Sequence, residues 1–227
     1  MKYEIKGDNL PVVICYLEDG EQMATENGGM SWMSPNMEMQ TSTNGGVGRA
    51  FGRLFSGEKM FQNIYTAHGP GYIAFSSDFP GRIVPFDVSN GNDIILQKRA
   101  FLASETSVRG EVFFNKKLGT GLFSGEGFIM QRYFGQGLVF AEMDGHIEEY
   151  NLAAEEKIVL ETGLLAAMSP SCKMEVQMVK GAKNIIFGGE GLFLTTVTGP
   201  GKVYVHTMPL AKLAGNLGPY LTLYTSK

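Results

Sequence analysis

The sequence predicts an all-β fold of three tandem repeats of one unit packed side by side, and three observations carry that prediction. A five-residue motif returns twice along the chain at nearly constant spacing. Segments between glycine-rich turns alternate apolar and polar residues with a period of two, the signature of strands with one buried face. The composition agrees: 30 glycines in 227 residues punctuate runs rich in Val, Ile, Phe, Tyr and Thr, which favour pleated structure.

The motif is Leu54-Phe-Ser-Gly-Glu58. It recurs as Leu122-Phe-Ser-Gly-Glu126 and as Ile186-Phe-Gly-Gly-Glu190. A second landmark follows each copy: Gly69-Pro-Gly71, Gly135-Gln-Gly137 and Gly199-Pro-Gly201, every one leading into an apolar run. Upstream, Met33-Ser-Pro35 pairs with Met168-Ser-Pro170, and Ala103-Ser-Glu105 takes the middle slot. The seams fall near Gly81 and Gly145, so residues 1–80, 81–144 and 145–227 are expected to be three β units, the last with a closing segment. The shared motif residues are Phe55, Gly57, Glu58, Phe123, Gly125, Glu126, Phe187, Gly189 and Glu190. Gly57, Gly125 and Gly189 hold one position, which predicts a left-handed backbone there.

Within the first unit, Met37, Met39 and Thr41 alternate with Glu38, Gln40 and Ser42; in the third, Met174, Val176 and Met178 alternate with Glu175 and Gln177. Both read as strands with the Met side inward. Helical spacing appears twice. Val47, Phe51, Leu54 and Phe55 stand at i, i+4, i+7 and i+8, with glycines at 46, 48 and 52 against it, and Leu210-Ala-Lys-Leu-Ala214 suits a closing turn.

The formal net charge of −4 gives no global attraction to phosphate, so nucleic acid is not the default partner. The N-terminus has no apolar core of a signal peptide, and no apolar stretch is long enough to span a membrane, so a cytoplasmic protein is expected. Cys15 and Cys172 stand far apart without metal or redox spacing, and they read as packed thiols. Neither catalytic residues, nor a metal, nor a cofactor is expected. Gly45 to Gly52 lacks the Gly-Lys-Ser/Thr of a phosphate loop and has Phe51 where a dinucleotide fingerprint needs glycine. Met23, Met30, Met33, Met37 and Met39 could suggest copper(I), but where the first copy has Met33 and Met39 the second has Ala103 and Phe113 or its neighbours and the third Met168 and Val176, so the shared property is apolar volume, which points to core filling. His68, His146 and His206 keep no common place.

Glu58, Glu126 and Glu190 recur in register, which points to turn hydrogen bonds or interface pairing rather than to catalysis. Cations precede each of them: Arg49 and Arg53, Lys116 and Lys117, Lys180 and Lys183. With Phe51 these form the candidate surface for a partner or an anion.

The Phe-Ser-Gly-Glu motif, the segment Gly45 to Gly52 and Ala103 or Met168 with its following Ser together resemble a bacterial family. Its eukaryotic relatives are named for altered inheritance of mitochondria and are associated with mitochondrial biogenesis. The resemblance covers essentially the whole chain. It implies a β-sandwich unit of the double-stranded β-helix type, like that of the tryptophan RNA-binding attenuation protein, repeated along the chain and assembled into rings. It carries over no catalytic residues and no defined activity.

These readings converge on a non-enzymatic, ring-forming scaffold or binding protein, membrane- or stress-associated, with an unknown protein or membrane partner. Two terminal edges on one chain favour a cyclic homo-oligomer, a trimer first. The alternatives are an RNA or other nucleic-acid binder using the basic band, and third an enzyme of unrecognised type, which a pocket with perturbed acids at a unit junction would favour.

Overall fold

The structure is a computed structural model of the chain and describes residues 1–26, 28–42, 55–56, 62–116, 127–178 and 193–222. It is predominantly β. In chain order the strands are β1 (Lys2–Lys6), β2 (Val12–Leu17), β3 (Gln22–Glu26), β4 (Trp32–Met33), β5 (Met37–Ser42), β6 (Phe55–Ser56), β7 (Gln62–Ala67) and β8 (Gly71–Ser76). Next come β9 (Gly81–Asp87), β10 (Ile94–Gln97), β11 (Phe101–Glu105), β12 (Val108–Lys116), β13 (Phe128–Gly135) and β14 (Leu138–Asp144). The last are β15 (Ile147–Leu152), β16 (Lys157–Glu161), β17 (Leu165–Met168), β18 (Lys173–Met178), β19 (Phe193–Thr198) and β20 (Gly201–His206), followed by helix α1 (Leu210–Thr222).

Among the described residues four sheets result, with orders β1-β2-β8-β4, β5-β7-β3-β11-β14-β9, β15-β20-β17-β10-β13-β12-β6 and β16-β19-β18. β6 runs parallel to β12; the other pairings are antiparallel. Tight glycine turns join consecutive strands: Gly69 and Gly135, on either side of which β7 meets β8 and β13 meets β14, both adopt positive φ (90° and 118°).

Period-two patterning explains how each strand meets its core. In β2, Val13, Cys15 and Leu17 are buried while Tyr16 between them is exposed. Three apolar clusters follow, one in each gap between successive sheets. The first gathers Val13, Cys15, Ile73 and Phe75 against Met23, Tyr65, Ala103 and Phe140. The second joins Val139, Ala141 and Met143 to Leu96, Tyr133, Ala167 and Tyr204. The third joins Ile95, Phe128, Met130 and Met168 to Leu160 and Val197. β11 and β10 face two cores at once: Ala103 belongs to the first and Phe101 to the second, Leu96 to the second and Ile95 to the third. Strands covered on both sides read as continuous apolar runs, as Ile94-Ile-Leu96 does.

Several expectations need correction. β5 and β18 lie where alternation puts strands, but their Met sides are not buried throughout: Met37 is buried, whereas Met39 is 50% and Met178 63% exposed. Each of these strands is the edge of its sheet, and only part of its length overlies a core. The closing turn at Leu210 extends into the 13-residue helix α1. Of the helical spacing from Val47 to Phe55, only Phe55 is described, and its backbone is in strand β6 rather than a helix. Met23 and Met37 are core residues, and Met30 and Met33 pack on the first core, as gap-filling predicts. Both cysteines are buried free thiols, and burial pushes Cys15 up to about 12, so it stays protonated and inert.

Candidate functional site

The residues singled out from sequence fall almost wholly outside the described part of the chain. Arg49, Phe51, Arg53, Gly57, Glu58, Lys117, Phe123, Gly125, Glu126, Lys180, Lys183, Phe187, Gly189 and Glu190 all lie there. Of the rest, Phe55 contributes backbone to β6 opposite Gly110, and Lys116 ends β12 opposite Phe128.

A different group of residues forms a concavity lined by charged side chains. The ends of β3, β8 and β14 converge below the N-terminus of α1 and enclose a cleft of about 420 Å³. Carboxylates line it: Glu26 from β3, Asp78 from the turn after β8, and Glu142 and Asp144 from β14. Lys98 and Arg99, on the short 3-10 turn between β10 and β11, bring the opposite charge. A smaller recess of about 190 Å³ continues under the helix past Arg99, Glu142 and Asp144 to Pro209 and Ala214.

Burial sets the electrostatics. It pushes Glu142 up to about 7, reinforced by the negative charges of Asp144 and Asp78 and opposed by the Asp78 N–H, which donates to Glu142 Oε2 at 3.3 Å. Burial likewise pushes Asp144 up to about 6, with the Asp78 charge adding to it; the Leu210 N–H and Arg99 pull the other way. That Leu210 N–H is the first donor of α1, so the Asp144 carboxyl caps the helix. Burial thus raises both carboxyls, Glu142 and Asp144, above the usual carboxylate range.

His206, at the end of β20, closes the far side. It is buried, accepts the Asp144 N–H at Nδ1 (3.3 Å) and donates from Nε2 to the Gly163 carbonyl (3.0 Å). Those partners fix a neutral Nε2–H tautomer, and burial lowers its pKa. By contrast, His68 and His146 are exposed and pair with Glu38 and Glu148. Among the described residues no three His, Cys, Asp or Glu side chains cluster closely enough to hold a metal ion, and no helix is long and apolar enough to cross a membrane.

Sequence reasoning missed this cleft because Asp78 and Glu142 are 64 residues apart and meet only where the ends of two different sheets come together. The available signal was small: Asp78 stands just after the apolar strand β8 and Asp144 ends the apolar strand β14, shortly before Gly81 and Gly145 respectively.

Comparison with known proteins agrees with the architecture. The chain is 29% identical over 220 residues to an uncharacterised protein, M6_Spy0233, of Streptococcus pyogenes serotype M6, covering 93% of this chain and 87% of that protein. The crystal structure of protein SPYM3_0169 from Streptococcus pyogenes superposes with a TM-score of 0.79 at 25% identity, covering 96% of this chain and 99% of that one. The family model described as Mitochondrial biogenesis AIM24 matches residues 3–208, and the chain belongs to that family.

Proposed function

We propose that the protein is a non-enzymatic scaffold, located in the cytoplasm, whose chain is three copies of one attenuation-protein-like β-sandwich unit and whose working form is a cyclic homo-oligomer. The observation that carries this reading is a pairing scheme met three times. β2 with β8, β9 with β14 and β15 with β20 pair antiparallel, as do β3 with β7, β10 with β13 and β16 with β19. β4 with β8, β11 with β14 and β17 with β20 follow suit, and so do β5 with β7, β12 with β13 and β18 with β19. Cut at 80 and 144, the chain yields six strands per segment in one order, with β1 and β6 as additions. Like units that share sheets stack as solenoid repeats do, and an open stack is closed most economically by a ring.

In this reading the Gly-rich segment around Phe51 contacts a protein or membrane partner, with Arg49, Arg53 and the lysines at 116, 117, 180 and 183 beside it. Native mass measurement tests the assembly: a trimer has three times the chain's 24.8 kDa. A mass of one chain at every concentration refutes the ring. Affinity capture with the parent and Phe51→Asp tests the loop, and equal recovery of partners or liposomes by both refutes it.

One observation favours a catalytic reading instead, the cleft holding Glu142 and Asp144, because acids that titrate near neutrality in a concavity are tools of proton transfer. Parent and Glu142→Gln protein, screened against panels of hydrolase and isomerase substrates, separate the two. Turnover lost in the variant establishes the enzyme, and no turnover by the parent leaves the scaffold reading standing.

A further inference from the structure

Two strand edges at opposite ends of the chain, β16 and β4, are complementary in the way that already joins the sheets within it. β3 pairs with β11, and β10 with β17, each antiparallel; these two pairings fuse half-sheets into the two long ones. By place in the pairing scheme, β16 corresponds to β3 and β10, and β4 to β11 and β17. Among the described residues, β16 is the edge of its sheet and β4 the edge of another, and neither has a second strand partner. The shortness of β4 is no obstacle, since β10 and β17 meet over two residue pairs only.

The side chains repeat the match. At the β11–β14 pair, Ala103 faces Phe140, and both enter the first core; at the β17–β20 pair, Ala167 faces Tyr204, and both enter the second. Each pair therefore lends one small and one aromatic residue to the core before it in the chain. Counted from the turn glycines Gly71, Gly137 and Gly201, the corresponding pair on β4 and β8 is Trp32 facing Ala74, the same two sizes exchanged between strands; this register puts Ser104, rather than the Ala103 expected from sequence, level with Met33 and Met168. No core precedes it in the chain, and Trp32 is 45% exposed. The third core is in the converse state: its rim residues Ile158, Met174 and Phe193 are only partly buried, and Val159 on the open edge is 60% exposed.

We infer that β16 of one copy pairs antiparallel with β4 of a second copy, seating Trp32 on the rim of the third core. This inference rests on the ring reading and names its joint. The occupant is another copy of this chain, because the edge, the strand direction and the small-aromatic pair all match what the chain uses internally. Such a contact is head-to-tail: it joins different surfaces and closes only around a ring. An edge that carries an exposed Val159 invites pairing, and a lysine there is the usual protection against it.

Trp32 is the only tryptophan in the sequence, so its fluorescence reports on the joint directly. The experiment measures native mass and tryptophan emission of the full chain across a dilution series, for the parent and for Val159→Lys, with far-UV circular dichroism to verify folding. The expected result is an oligomeric parent with blue-shifted emission that reddens as mass falls on dilution, and a folded Val159→Lys protein of single-chain mass with red emission. A parent that stays oligomeric while its emission remains that of exposed tryptophan, with Val159→Lys of unchanged mass, overturns the joint and leaves the ring intact. A parent of single-chain mass throughout overturns both. Should Val159→Lys fail to fold, the parent's dilution series decides alone: emission that does not follow mass refutes the joint.

Discussion

Replacing Glu142 by Gln removes a charge that the fold tolerates poorly, and the consequence is a stability gain confined to one pH window. The Glu142 carboxyl is raised from 4.5 to about 7, burial first. Between those values the folded protein holds a proton that the unfolded chain has released, so stability falls as pH rises through the window and the loss is complete above about 7. A shift of this size corresponds to roughly 3 kcal/mol at pH 8, an upper figure because Asp144, whose charge contributes to it, is itself raised. Gln is nearly isosteric and keeps an oxygen for the Asp78 N–H. Urea denaturation at pH 8 and at pH 5 is the assay. Glu142→Gln is expected to be more stable than the parent by about 2 to 3 kcal/mol at pH 8, and the difference is expected to shrink toward zero near pH 4.5. Equal midpoints for the two proteins at pH 8 would refute the argument that burial dominates at this carboxyl.

His206 acts with the opposite sign. Its folded pKa is lowered, so the neutral form's advantage is present above the unfolded value of 6.5 and is lost as pH falls below it; His206→Ala is expected to flatten that acid limb while costing about 2 kcal/mol at pH 8 through the orphaned Gly163 carbonyl and Asp144 N–H. Phe140→Ala empties a fully buried site whose ring meets Tyr3 edge-on at 5.1 Å, so urea unfolding is expected to show a loss of about 3 to 5 kcal/mol. At Gly81 an added Cβ would stand 2.1 Å from the Met143 carbonyl oxygen on the paired strand, and Gly81→Ala is expected to cost at least about 1 to 3 kcal/mol, read as a lowered thermal midpoint. Lys212→Ala, by contrast, breaks only an exposed pair with Glu161 at 3.5 Å and is expected to shift stability by less than about 1 kcal/mol.

The strand content of this fold was legible because a pleat writes its period into the sequence whenever one face is buried. β5, β8, β14, β18 and β20 lie where alternation or an apolar run after a turn glycine puts them. Depth was not legible. Met37 and Met39 occupy equivalent places in the alternation, yet one is core and the other half-exposed, because the pattern records which face a residue takes and not whether another layer covers it. The cleft was illegible for a related reason. Glu142 and Asp78 become partners only once β8 and β14 have taken places in different sheets whose ends meet, and a carboxylate at a strand end otherwise reads as solvated surface. Buried charge is a property of the assembled layers.

Trp32 shows a subtler limit of reading position by position. Aligned singly, Trp32 looks unrelated to Ala103 and Ala167, as does Ala74 to Phe140 and Tyr204. The antiparallel ladder makes them three cross-strand pairs, and each pair then holds one aromatic ring and one methyl group in nearly constant total volume. Close packing constrains that sum far more than its division between strands, since a ring rooted on either neighbour can fill the same hole. Residues at paired positions can drift under such a constraint while the packing they support stays put. On the proposed triplication and ring, equivalence between the segments is to be sought in facing pairs, and the exposed ring of Trp32 is the group that would fill a hole in another molecule of the same chain.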